Sequence, residues 1–310
     1  MKLTSLATVC LVAAAHSAFA QIESSYTYNG IHRSFPIKVR IPGGSRGSIQ
    51  IQLLKPVTAE VVEKAEVTGG RQDLAKLFPD LWDAKHPTVL YAQLVVNDQK
   101  IGPALVLQPM LNPQISRLKD DKKTIEFITD EDGPMFNGYR AYVDKHIVFE
   151  TSMGTMEFKT RPDAAPNTVW TIMELVRGGQ YRDTIFHRIV AKRADGSPFV
   201  IQGGDPTGTG SGGPGFAYPL ENSTLPHDFG VISIARSTDP NTNGGQIFVC
   251  LSRAGTKHLD HKYAAFGQLV KGAEVVKAIG AVPVGKEDRP INPPVIRNAK
   301  LINAGPYIGG

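Results

Sequence analysis

Cysteine is nearly missing from this chain of 310 residues: there are two, and Cys10 lies in an N-terminal stretch that reads as a cleaved leader. Cys250 is then alone, so no internal disulfide can form in any redox compartment and stability must come from packing. Blocks of like charge are missing too. The 34 Lys and Arg against 29 Asp and Glu give a net charge of +5. Without Lys2 the balance is 33 minus 29, or +4, with no charged run of the kind that marks a nucleic-acid partner. No apolar run reaches the roughly 20 residues a membrane-spanning helix needs. Repeats are absent, which argues against a solenoid or propeller.

What the chain does have is glycine (31) and proline (22), the composition of many turns and short strands. Residues 1–20 carry Lys2, an apolar run from Leu6 to Ala15, and Ala18-Phe19-Ala20 as a small-x-small cleavage site, the pattern of a secretory signal. Cys10 is no lipidation site, since it sits inside the apolar run behind Val9. Export to a periplasm or to the exterior is the expectation.

Residues 21–140 are expected to form a small β-rich domain that includes a linker. Ile37, Val39 and Ile41 alternate with polar residues, as do Ile49, Ile51 and Leu53, and period two means strands with one buried face. Gly43 to Gly47 reads as a turn between them, and Asn97-Asp98 as a turn between Val89–Val96 and Ala104–Leu107. A short helix is expected from Asp73 to Phe78, ended by Pro79. From Lys119 to Gly138 the chain turns polar and reads as a linker or surface loop, with a boundary near residue 140.

In residues 141–310, Ile147–Glu150 and Thr155–Lys159 read as a hairpin turning at Met153-Gly154. A helix follows, capped by Asn167, with Val169, Ile172, Met173, Leu175 and Val176 inward and Gly178-Gly179 at its end. A second helix is expected from Ala273 to Ile279.

Three segments then stand in order: Phe186-His187-Arg188, Phe199-Val200-Ile201-Gln202-Gly203-Gly204-Asp205, and Asn241-Thr242-Asn243-Gly244-Gly245-Gln246-Ile247-Phe248. With Leu259-Asp260 and Ala265-Phe266-Gly267 they resemble the cyclophilin family of peptidyl-prolyl cis/trans isomerases, over about residues 145 to 303. The resemblance implies a mainly β fold: a closed eight-stranded antiparallel barrel capped by two helices, with a groove on its outer wall for a proline-containing peptide. It further implies that Arg188, Phe199, Gln202 and Phe248 are catalytic, and that Val200, Ala235, Arg236, His258, Leu259 and Tyr263 bind substrate. No metal and no cofactor are implied. The expected partners are proline-containing unfolded or flexible polypeptides.

The residue types suit that chemistry on their own terms. Rotation about an acyl-prolyl bond meets a barrier of about 18–20 kcal/mol, because the nitrogen lone pair is delocalised into the carbonyl. A fixed cation aimed at the twisted amide needs no nucleophile and no general base. Without the resemblance, Phe186, Phe199 and Phe248 would read as barrel core and Arg188 as a surface cation. A rival of another class is a non-catalytic module or chaperone that grips proline segments, with the N-terminal domain as its docking surface.

Two positions depart from the best-known members of the family. His258 stands where those carry tryptophan, and Tyr263 where they carry histidine, so weak cyclosporin binding is expected. The segment Ala191 to Pro198 is longer than the usual loop, and an extra residue near Ser237-Thr238-Asp239-Pro240 resembles bacterial members. Two decoys complete the reading. Gly208 to Gly213 matches G-x-G-x-x-G, but Pro214 and Pro219 leave no helix to follow it. His258-Leu259-Asp260-His261 lacks the helical His pair or Cys partner of a metal site. His187 reads as structural, and Cys250 as a buried small hydrophobe.

Overall fold

The computed structural model describes residues 20–83, 85, 87–128 and 133–310. The expected leader therefore lies outside the described residues except for Ala20, as do residues 129–132 of the expected linker.

The first part of the chain is built from β1 (Ile22–Ser24), β2 (Tyr28–Gly30), β3 (Pro36–Val39), β4 (Ile49–Leu54), β5 (Val61–Glu66), β6 (Gly70–Asp73), α1 (Leu74–Leu77), β7 (Leu90–Val96), β8 (Gln99–Leu111), β9 (Ile115–Leu118), β10 (Ile125–Ile128) and β11 (Phe136–Val143). A six-stranded antiparallel sheet runs in the order β2-β11-β8-β7-β4-β5, and a three-stranded sheet in the order β1-β3-β6. The two alternating segments of the sequence thus belong to different sheets, and residues 40–48 pass between the sheets. The β7–β8 turn has both Asn97 and Asp98 at positive φ, 48° and 64°. That is the twist a two-residue hairpin requires, and short polar Asn and Asp tolerate it best.

One face of the six-stranded sheet carries Ile51, Leu53, Ala92, Leu94, Leu105 and Leu107, packed with Phe35, just before β3, and with Leu74, Phe78 and Trp82 of the α1 region. Trp82 stacks on Phe35 at 6.1 Å and lies 5.8 Å from Tyr139. The other face carries Leu54, Tyr91, Ala104 and Val106. Both faces being covered explains why β7 is buried along almost its whole length.

The second part contains β12 (Lys145–Thr151), β13 (Gly154–Thr160), α2 (Pro166–Arg177), β14 (Thr184–Val190), β15 (Val200–Asp205), β16 (Val231–Ile234), β17 (Ile247–Cys250), α3 (Arg253–Thr256), β18 (Ala265–Lys271), α4 (Ala273–Gly280) and β19 (Val295–Asn303). The eight strands close into an antiparallel barrel in the order β12-β13-β18-β16-β17-β15-β14-β19. Phe149, Phe158, Phe186, Ile201, Ile232, Val249 and Phe266 fill it, and α2 and α4 cover its ends with Val169, Ile172, Met173, Val176, Val275, Val276 and Ile279.

Several local expectations need correction. Asn167 does not cap α2: the N-cap position is Ala165, Pro166 opens the helix, and Asn167 lies within it. The orphan N–H groups of Asn167 and Thr168 donate instead to the Glu221 carboxylate, at 2.9 and 2.7 Å. The polar stretch 119–138 is not simply a linker either. It includes β10, paired with β9, and the start of β11, and the chain crosses from sheet to barrel between Val143 and Lys145. A one-turn helix, α3, also interrupts the strands between α2 and α4.

The two halves are held at several points. The Arg140 guanidinium on β11 lies 5.0 Å over the Trp170 ring of α2. Beyond β19, residues 304–310 return to the sheet: Tyr307 stacks on Tyr91 at 3.6 Å, and its hydroxyl accepts from Val57 N at 3.1 Å. Tyr307 N donates to buried Gln93 at 2.9 Å, and Lys100 donates to Tyr307 O at 2.9 Å.

Candidate active site

The pairing of β14 with β15 shifts register twice, and the second shift decides where Arg188 points. On β14, Phe186 pairs with Gly203 and Arg188 with Gln202, so two steps on β14 match one on β15. His187 is the extra residue of this bulge. In a regular strand Arg188, two positions beyond Phe186, would share its inward face; the bulge turns the guanidinium out to the wall. Beyond the bulge alternation resumes, with Ile189 and Ile201 inside and Val190 and Val200 outside.

The registers then set Arg188, Gln202, Phe248 and Ser233 opposite one another across β14, β15, β17 and β16. Beside this row Val190, Val200, Phe248, Cys250, Leu225, Leu259 and Ala265 form a small apolar cluster outside the barrel, flanked by Phe199, Ala235 and Tyr263. A cleft of about 120 Å³ opens on it, lined by Arg188, Phe199, Val200, Gln202, Ala235, Arg236, Phe248, Leu259 and Tyr263. These are nine of the ten residues singled out in the sequence. The tenth, His258, is not in the lining but stacks on Phe199 at 5.7 Å and 19°.

The aromatic edges are braced. Tyr263 meets Phe248 edge-on at 5.7 Å, and the Arg236 guanidinium lies 4.5 Å over the Tyr263 ring while donating to the carbonyls of Ser237, Thr238 and Lys262. The long 191–198 segment contributes Arg193, 5.2 Å over the Phe199 ring and 3.1 Å from His258 Nδ1. Arg188 is half-exposed, with one N–H 3.5 Å from the Asp288 carboxylate. A second, larger cavity of about 470 Å³ shares Gln202, Ala235 and Arg236 and continues along Gly210–Gly213, Ser237, Thr242 and Gly244–Gln246.

The family model described as cyclophilin type peptidyl-prolyl cis-trans isomerase/CLD matches residues 146–301. Peptidyl-prolyl cis-trans isomerase-like 1 of Gibberella zeae is 40% identical over 162 residues, which is 51% of this chain and 94% of that protein. The chain belongs to the cyclophilin-type isomerases. Peptidyl-prolyl cis-trans isomerase CYP18-2 of Arabidopsis thaliana is also 40% identical, over 51% of this chain and 93% of the relative. A crystal structure of a Cryptosporidium parvum cyclophilin type isomerase is 30% identical, covering 53% of this chain and 99% of that one, with a TM-score of 0.47.

Around this cyclophilin-type groove stand residues the sequence reading did not assign to the site. Gln246 accepts from Gln202 at 3.1 Å and donates to the carbonyls of Gly210 and Gly212, tying the row to the glycine loop. It falls inside the 241–248 segment, where its role depends on a loop more than 30 positions away. Buried His227 lies parallel to Phe248 at 5.9 Å, between the Asp260 carboxylate at Nδ1 and the Ser233 hydroxyl at Nε2. Burial pushes His227 down to about 4 against the opposing pull of Asp260, so at neutral pH the ring donates from Nδ1 and accepts at Nε2. Nothing local in the sequence signals that ring.

The glycine loop wraps a carboxylate, not a phosphate. Burial alone would raise Asp205, but the N–H groups of Gly212, Thr207 and Gly210 outweigh it and hold the group at about 2. A Cβ at Gly212 would come within 2.1 Å of Asp205 Oδ1, which is why glycine stands there. Burial also lowers His187 and His258, favouring the uncharged ring at both. Among the described residues no group of three or more His, Cys, Asp or Glu side chains is placed to hold a metal ion, and no helix is long and apolar enough to cross a membrane. Cys250 is buried, its thiol pushed up to about 12 by burial.

Proposed function

We propose that this chain speeds the cis/trans exchange of prolyl peptide bonds by stabilising the twisted amide with Arg188 beside an apolar slot. The observation that carries the reading is the bulge-turned guanidinium at the rim of a cleft floored by Phe248, Val200 and Leu259. As the bond rotates out of plane the nitrogen lone pair localises and accepts a hydrogen bond that neither planar isomer can accept equally well. A guanidinium offers that donor without a proton-transfer step, and its long contact to Asp288 leaves donors free to turn to substrate. The apolar floor holds the ring, and Gln202, braced by Gln246, addresses the peptide backbone. An extended peptide rising ~3.3 Å per residue would carry a residue flanking proline from this cleft into the larger cavity.

The test is exchange of a prolyl peptide by wild type and Arg188→Ala. A loss of about two orders of magnitude is expected, comparable to removal of one preorganised donor elsewhere. Because no proton moves, the wild-type rate should stay nearly flat from pH 6 to 8. An unchanged Arg188→Ala rate removes the residue from the mechanism, and a wild type that binds proline peptides without exchanging them returns the groove to a gripping module.

The same proposal places the work outside the cytoplasm, on exported chains whose slow prolines delay folding. It rests there on Lys2, the Leu6–Ala15 run and Ala18-Phe19-Ala20. Cyclosporin is expected to inhibit only weakly, because His258 is stacked on Phe199 and held by Arg193 instead of lining the cleft. A titration giving nanomolar inhibition would overturn that expectation.

A further inference from the structure

The β9–β10 hairpin belongs by sequence to the N-terminal half, yet it joins neither of that half's sheets. Two strands alone are marginal in water, so this pair needs a surface to lie on. Its register sets Ser116 opposite Phe127 and Leu118 opposite Ile125, which puts these four side chains on one face. Ile125 and Phe127 pack against the barrel's core cluster, and Ser116 is buried. The opposite face shows exposed Ile115 and Ile128 and a cross-strand Arg117–Glu126 ion pair.

Where the hairpin lands is the telling point. Ser116 Oγ donates to Asn241 Oδ1 at 2.9 Å, and Asn241 Nδ2 donates to Ser116 O at 2.8 Å. Asn241 belongs to the 237–245 segment, whose Ser237, Thr242, Gly244 and Gly245 wall the larger cavity. That segment is knit as a unit. Asn241 N donates to Asp239 Oδ1 at 2.8 Å, Ser237 N to Thr242 Oγ1 at 3.1 Å, Thr242 Oγ1 to Asp239 O at 2.6 Å, and Asn243 Nδ2 to Pro240 O at 2.8 Å. A restraint on Asn241 is therefore a restraint on the cavity wall.

We infer that the β9–β10 hairpin is a positioning arm that fixes the 237–245 wall and thereby sets the enzyme's preference for the residue flanking proline. The inference rests on the proposed isomerase reading, in which the larger cavity receives that residue. None of the arm's residues touches the proline cleft, so its effect falls on selectivity and on KM, not on the twisting of the bond.

The experiment compares full-length wild type with Asn241→Ala, Ser116→Ala, Ser116→Thr and Phe127→Ala on a set of prolyl peptides. The residue flanking proline is small, bulky apolar, acidic or basic, and kcat and KM are measured for each. Expected is a change of about fivefold or more in the ratio between best and worst peptides for Asn241→Ala and Phe127→Ala. KM should carry the change, kcat on the small-residue peptide should be retained, and Ser116→Thr should restore the profile that Ser116→Ala alters. Identical ratios in folded Asn241→Ala and wild type overturn the inference while leaving the isomerase reading intact. A parallel drop in kcat on every peptide also overturns it, since that marks a merely structural contact. Absence of exchange in wild type sinks the isomerase reading itself. If Phe127→Ala fails to fold, the half-buried Asn241 side chain still decides the question.

Discussion

The barrel and the six-stranded sheet solve the same problem, the unpaired strand edge, in opposite ways. The barrel closes β12 onto β19 and leaves no edge, so all eight strands spend their backbone groups on one another. The sheet stays open and ends at β5, where Glu63, Lys64 and Glu66 stand beside exposed Val61 and Val62. Closure leaves the barrel's outer wall free to carry side chains chosen for chemistry, and one bulge suffices to turn a cation onto it. The open sheet has both faces committed to packing, so its residues are chosen for size. What the contrast teaches is that the half with the self-sufficient backbone is the half that can spare side chains for a site.

That contrast can be broken most forcefully by Trp82→Ala. The ring is buried among Phe35, Phe136 and Tyr139, and its loss should cost about 3–5 kcal/mol in the N-terminal half. Hydrogen exchange should show β7 and β8 amides losing protection while those of β15 and β17 keep theirs. Loss of protection in both halves together would mean that they unfold as one unit and that the barrel is not self-sufficient.

A smaller effect sharpens the comparison at the junction. Asp144 lies between the last strand of the sheet and the first of the barrel, buried, with its backbone bonded to Ala104 and Ala304. Burial pushes its carboxyl up to about 7, against the pull of Lys159. The folded chain therefore keeps a proton that the unfolded chain releases near its ordinary value of 3.8, so this group's contribution is fully present below that value and is lost as pH rises through 7. Asp205 and Asp260, both held at about 2, act oppositely and lose their contribution only as pH falls below about 4. The expected outcome is that Asp144→Asn flattens the decline in stability between pH 4 and 7 measured by denaturant unfolding. An unchanged slope would mean that water reaches the junction.

Legibility in the sequence followed the same division. Period two is a local property, so β3, β4 and the β7–β8 hairpin could be read directly. Their assignment to two sheets could not, because pairing joins positions far apart. The groove residues could be read because they lie in or beside the ordered motifs that carry the family resemblance. Partners supplied from a distance were hidden: Glu221 for the N-terminus of α2, Asp288 for Arg188, and His227 behind Phe248. The start of β11 was hidden for a different reason. Gly138 looks like a strand breaker, but it sits at φ +119° where a Cβ would come 2.2 Å from Asn29 O, so the glycine marks close approach of β2. The hairpin of β9 and β10 was masked by its own short strands and polar turn, which resemble a loop until the barrel beneath them is seen.

The return of residues 304–310 to the sheet bears on the order in which this molecule can be assembled. Tyr91, Leu54 and Val106 offer an oily patch whose cover, Tyr307, lies beyond the last barrel strand. A chain delivered from its N-terminus exposes that patch for as long as the next two hundred or so residues take to arrive, at roughly 5–20 residues per second during synthesis. The sheet cannot be sealed before the barrel is built, so the last residues of the chain close a surface that its first half leaves open.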